Sequence, residues 1–208
     1  MNELAEIEQA DRIKKWCREY GLGIIVGILL AIFVSWSWNY WRQEQENKLL
    51  AGSIQYEYLL TAIMRNESTT TLNTLANVLL KNYSYSPYAS LAALYLAKRA
   101  VNQNNLVNAE SMLVWVIEHG KDRALQSIAR VRLARVLLAE NQATRALNVL
   151  AANEDKAYIP ITLEEKGDVL LHLGHRKEAL QNYFAAKQAF SDSIIEQPVL
   201  EMKINNLA

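Results

Sequence analysis

The sequence predicts an all-α chain: a single N-terminal transmembrane helix followed by a superhelix of short helical hairpins. Three observations predict it. The run from Tyr20 to Trp41 carries no charged residue. Beyond it, apolar residues recur at three and four spacing, as in Leu91, Leu94 and Leu96 or Leu133, Val136 and Leu137, and strand-like alternation is absent. Breaks rich in Asn, Gly, Ser, Pro and Asp interrupt that pattern at regular intervals, at Asn66, Tyr83 to Pro87, Gln103 to Asn105, His119 to Asp122, Glu140 to Gln142, Asn153 to Asp155 and Gly174. The expected organisation is a head over 1–19, a transmembrane helix over 20–41, linking helices with a degenerate first repeat over 42–87, and repeats with a C-terminal segment over 88–208.

The head has Leu4, Ile7 and Ile13 with charges between them, the pattern of a surface-lying helix. The run that follows is long enough to cross a bilayer core of about 30 Å, which takes roughly 20 apolar residues of helix. It ends in Trp36, Trp38, Tyr40 and Trp41, rings that settle at headgroup level, where a signal peptide would show small residues for cleavage. Arg12, Lys14, Lys15 and Arg18 precede it, and only Arg42 and Lys48 follow in the comparable stretch. That excess places the N-terminus in the cytoplasm and the body across the membrane. Gly23, Gly27, Ala31 and Ser35 recur every four residues and form one small-residue face, which lets membrane helices approach closely.

In the body, a repeat underlies the helices. From Pro160 to Ala186, the residues Gly167, Leu170, Gly174, Ala179, Tyr183 and Ala186 fall at the spacing of the tetratricopeptide pattern. Small residues at 167 and 179 let two antiparallel helices approach, and Gly174 lets the turn take a left-handed backbone. The same register gives Ala134, Asn141 and Ala146, and before that Ala97, Asn104 and Ala109, because Asn also tolerates the left-handed region. Ala76, Leu80 and Pro87 suggest a degenerate first unit, paired with a helix from about Asn47 to Met64. Stacked repeats of this kind present a concave face that binds peptides.

The first helix of each hairpin lines that face. The expected groove therefore holds Leu91, Leu94, Lys98 and Val101 from one unit and Ile128, Val131, Arg135 and Leu138 from the next. Ile161, Glu164, Asp168 and Leu171 come from the third. Such a surface fits apolar segments of an unfolded or partner polypeptide, with Lys98, Arg135 and Asp168 bonding its backbone or termini. Packing between repeats is the competing use of the same apolar residues.

Other chemistry is thinly represented. Formal net charge is zero, which gives no basic footprint for nucleic acid. The one cysteine, Cys17, lies in the head, so the body has no disulfide whatever its compartment. No phosphate loop, Gly-x-Ser-x-Gly elbow, zinc helix motif or Cys-x-x-Cys-His haem site occurs. His172 and His175 do not complete a metal site, and Glu164, Glu165 and Asp168 favour a helix start by their charge. Arg130, Arg132 and Arg135 form a basic stretch with one member facing the groove. The expectation is a binding protein, with no enzymatic activity, metal or cofactor.

Several strings together resemble the YfgM family of ancillary SecYEG translocon subunits across nearly the full length. They are Gly21 and Val26-Gly27, Trp38 with Tyr40-Trp41, Ala89-Ser90-Leu91, Arg132-Leu133-Ala134-Arg135-Val136, and Met202-Lys203-Ile204-Asn205-Asn206-Leu207. The last is the most specific, because no repeat geometry demands it. The resemblance implies a single-pass inner-membrane protein of a Gram-negative bacterium, with a periplasmic tetratricopeptide-like domain. It implies as partners the SecYEG translocon, the membrane-anchored chaperone PpiD and exported or unfolded polypeptides. The family offers no catalytic residues to carry over. This chain departs from it in a bulkier span, with Ile32, Phe33 and Val34. The residues themselves also allow a scaffold for inner-membrane complexes without client binding, or an envelope or cytochrome assembly factor.

Overall fold

A computed structural model describes the backbone of residues 2–190 and 197–207, and their side chains from residue 27 onward apart from Ile28 and Gln45. Among the described residues every regular element is helical. The chain divides into two compact units, 1–48 and 49–208. Helix α1 (Asn2–Met64) supplies the first unit and, from residue 49, the opening helix of the second. Then follow α2 (Thr69–Asn82), α3 (Pro87–Asn102), α4 (Leu106–His119), α5 (Arg123–Ala139), α6 (Ala143–Ala151), a 3-10 turn (Lys156–Tyr158), α7 (Ile159–His172), α8 (Arg176–Phe190) and α9 (Pro198–Asn205).

In the first unit, the large apolar side chains described between Leu29 and Trp41 are all exposed. Trp36 stands over Tyr40 with ring centres 6.3 Å apart, and Trp38 over Trp41 at 5.6 Å, one helical turn along in each case. Among the described residues no helix is long and apolar enough to cross a membrane. The expected span starts before that description does: the side chains of Tyr20 to Val26, Gly23 of the small-residue face and Cys17 all lie outside it. Gly27, Ala31 and Ser35 are exposed.

The second unit starts and stops its helices with side chains suited to the work. Ser68 accepts from Thr71 N at 3.1 Å, Asn105 from Asn108 N at 3.1 Å, and Asp122 from Ala124 N at 2.8 Å, each satisfying an N–H that the helix cannot. Pro87, Pro160 and Pro198 stand in the first turns of α3, α7 and α9, where a missing N–H costs nothing.

Four turns close in the same way. Asn66, Asn104, Asn141 and Gly174 have φ of 53°, 56°, 58° and 81°. Asn104 N donates to Val101 O and Asn105 N to Ala100 O. The same pair of bonds recurs at Asn141 and Gln142, at Gly174 and His175, and at Asn66 and Glu67. This double closure reverses the chain within a few residues and makes each helix pair an antiparallel hairpin. The hairpins are α3–α4, α5–α6 and α7–α8, with the end of α1 and α2 forming an earlier one. The degenerate first unit thus has its own left-handed asparagine, Asn66.

Packing follows the register of small residues. Ala97, Ala109, Ala134, Ala146 and Ala179 are buried, each facing the partner helix or the next hairpin. First helices of consecutive hairpins also touch, α3 with α5 and α5 with α7. Among the described residues the core has three parts. Leu59, Leu72, Ala76, Leu79 and Ala92 join α1, α2 and α3. A large central part runs from Ala93 through Leu113, Val116, Leu133, Leu137 and Leu150 to Val169. Ala179, Tyr183, Ala186, Leu200 and Ile204 join α8 to α9. Helix α9 therefore covers the last hairpin, and this accounts for the C-terminal string that repeat geometry left unexplained: within it Ile204 is buried against α8 and Leu207 packs beside it.

Candidate functional site

The sequence places twelve body residues in a groove, and the structure separates them. Leu94 and Val131 belong to the central core, at 5% and 3% exposure, and line no groove. There their apolar area is removed from water. Ile128 and Leu138 are half-buried against the same core, as is Ile161. Leu91 is half-buried, and Leu171 is exposed. Only Lys98, Val101 and Arg135 come together around one concavity.

That concavity is a cleft of about 380 Å³ among α3, α4 and α5. Its walls are Ala97, Lys98, Val101 and Asn102 from α3, Leu106 and Leu113 from α4, and Arg132, Arg135, Val136 and Ala139 from α5. Helical spacing explains the mixture. Ala97 and Val101 lie four apart, as do Arg132 and Val136, so apolar and basic groups alternate along adjoining stripes. Leu113 is 1% exposed and forms a sealed floor, while Lys98, Arg132 and Arg135 stand exposed at the rim. A larger cleft of about 610 Å³ lies between α5 and the 152–156 segment. It is lined by Arg123, Arg130 and Lys156 together with Glu154 and Asp155, so its charges offset one another and it lacks an apolar floor.

Arg135 is held. Its Nε donates to Glu165 Oε1 at 2.7 Å, and its Nη2 donates to the same oxygen. The Glu165 side chain is 5% exposed and the Arg135 side chain 57%, so the pair joins a buried carboxylate to a guanidinium at the surface. The bond to Glu165 raises the Arg135 pKa against the opposing effect of burial. The other two carboxylates of α7 do not face the cleft. Lys203 Nζ donates to Glu164 Oε1 and Asp168 Oδ2, both at 2.7 Å, and the Tyr183 hydroxyl donates to Asp168 Oδ1 at 2.7 Å. Glu164 and Asp168 thus fasten α9 and α8 to α7, which corrects their expected place in the groove. Burial opposes the charge on Lys203, but its bonds to Asp168 and Glu164 outweigh that and hold its pKa above the ordinary value. Burial, aided by Asp168, pushes the Tyr183 phenol up as well.

Glu165, Tyr183 and Lys203 are the partners that sequence reasoning did not assign. Glu165 carried one signal: it lies on the apolar face of α7, between Thr162 and Val169, where a lone carboxylate needs a cation. His175 pairs with Glu178 at 3.1 Å, and among the described residues no three metal-ligating side chains come together.

Residues 14–208 match the family model described as a tetratricopeptide repeat-like domain. The chain belongs to that family. As a tetratricopeptide repeat-like protein it has relatives along almost its whole length. It is 28% identical over 204 residues to a Haemophilus influenzae protein called "Ancillary SecYEG translocon subunit", covering 98% of each chain. An Escherichia coli protein of the same description is 26% identical over 203 residues, which is 98% of this chain and 97% of the relative. One from Neisseria gonorrhoeae is 24% identical over 204 residues, 98% of both. These matches bear out the resemblance read from the sequence.

Proposed function

We infer that the chain is a membrane-tethered helical-repeat subunit associated with the SecYEG translocon, and that its α3–α5 cleft holds polypeptide. The observation that carries the reading is the end-to-end similarity to relatives named ancillary SecYEG translocon subunits. Such coverage includes the uncharged run as well as the repeats. In this reading Tyr20 to Trp41 crosses the inner membrane, with the N-terminus in the cytoplasm and unit 49–208 in the periplasm. Gly23, Gly27, Ala31 and Ser35 meet a neighbouring helix.

The mechanism is tethering without a catalytic step. Holding a binding cleft near the translocon exit raises its effective concentration for emerging chains. A PpiD-like chaperone, implied by the family resemblance, would be the partner to which chains pass. A scaffold that binds no client is the second reading. The burial of Leu94 and Val131 favours it, because their burial leaves less apolar surface for a client.

Site-specific photocrosslinking in native membranes separates the two. A probe at Gly27 should capture a translocon or chaperone helix, and a probe at Val101 should capture exported chains during translocation. Capture at Gly27 alone would favour the scaffold. Capture at neither would overturn the reading.

A further inference from the structure

The charges around the α3–α5 cleft do not balance. Its lining holds three cations, Lys98, Arg132 and Arg135, and no carboxylate. Arg135 is already committed to Glu165. Among the described residues Lys98 and Arg132 make no ion pair, though both are exposed at the rim. Between them lies an apolar floor that includes Leu113 and Val136. An unfolded segment of arbitrary composition would use the floor and leave both cations unmet.

We propose that the cleft selects an acidic polypeptide segment, one in which an apolar side chain is flanked by Asp or Glu side chains. This rests on the polypeptide-binding reading of the same cleft. The apolar side chain enters between Val101 and Leu113, and the flanking carboxylates meet Lys98 on α3 and Arg132 on α5. Two free cations on two different helices call for two carboxylates, whereas a terminal α-carboxylate alone supplies one. By engaging Arg135, Glu165 leaves the selecting charge on Lys98 of α3 and Arg132 of α5.

The test uses the full chain in detergent and fluorescent peptides with amidated C-termini, read by anisotropy. One peptide carries Leu flanked by Glu, a second Leu flanked by Gln, and a third Leu flanked by Lys. The acidic peptide should bind tightest and the basic one weakest, and added salt should narrow the difference because exposed charges are screened. The Lys98→Gln/Arg132→Gln variant should weaken acidic-peptide binding about five- to tenfold, the sum expected of two exposed pairs. It should leave the neutral peptide unchanged. Both side chains are exposed, so the variant keeps its fold, and a thermal melt checks this. Arg130→Gln removes a charge outside this cleft and should change nothing. Equal binding of the neutral and acidic peptides would overturn acid selection while leaving polypeptide binding intact. So would acidic-peptide binding that requires a free terminal carboxylate. If no peptide binds, both readings fall.

Discussion

Among the described glycines, Gly167 leaves the least room for a side chain, because the Tyr183 ring lies against it. A Cβ at 167 would lie 2.6 Å from Tyr183 Cδ1, and that ring is fully buried with its hydroxyl fixed on Asp168. Gly167→Ala is therefore expected to destabilise the fold by about 1–3 kcal/mol, the usual cost of overpacking. Urea unfolding measures it, and Tyr183→Leu in the same chain should recover part of the loss. Arg135 poses a different problem at the same scale. Arg135→Ala strands a buried carboxylate, which costs about 2 kcal/mol once the exposed guanidinium is allowed for. Replacing Arg135 and Glu165 together by Leu should cost less than Arg135→Ala alone, because no buried charge is then left unpaired. A double variant no more stable than Arg135→Ala would contradict this account.

The helices owe their places to residues of two kinds, and these differ in how openly the sequence displays them. Small residues at 97, 134 and 167 and left-handed residues at 104, 141 and 174 are demanded by local sterics. Their spacing alone gave the three hairpins in register. Asn66 performs the same closure but escaped that register, because its loop is one residue longer and Leu59 stands where the others have a small side chain. The cleft was legible only in part. Lys98, Val101 and Arg135 were foreseen from helical phase, but phase alone does not say how deep a face lies, so Leu94 and Val131 were misplaced. The α7 carboxylates are answered from α5, α8 and α9, at sequence distances that no local pattern encodes. Helix α9 is the element that most repays a test. Deleting residues from Pro198 onward uncovers the apolar face of Ala179, Tyr183 and Ala186 and removes Lys203 from two carboxylates. Terminal caps of this kind keep repeat arrays soluble. The truncated chain should bind a hydrophobic dye more strongly and lose its steep unfolding transition at the C-terminal hairpin first. Hydrogen exchange would locate that loss.

Across the second unit, stability should depend on alkaline pH with a defined sign. Lys203 and Tyr183 both hold their protons more tightly in the folded chain than in the unfolded one. The stability this contributes is fully present below the unfolded pKa values, about 10 for both side chains. It is lost as pH rises through the higher folded values. The urea midpoint should fall above about pH 10, and Lys203→Met should make that fall shallower. An unchanged alkaline slope would remove Lys203 from the account. The inter-helix ties run along the array: Arg99 to Asn73, Arg145 to Glu110, Arg135 to Glu165 and Lys203 to Glu164. Each joins an element to a hairpin next to its own, so strain at one hairpin passes mainly to its neighbours. The position of α9 also marks incomplete products. A released chain that ends between Phe190 and Pro198 has the last hairpin but lacks the helix that covers it. Its Tyr183 face stays open to water and to proteases, which gives quality control a physical mark by which to recognise it.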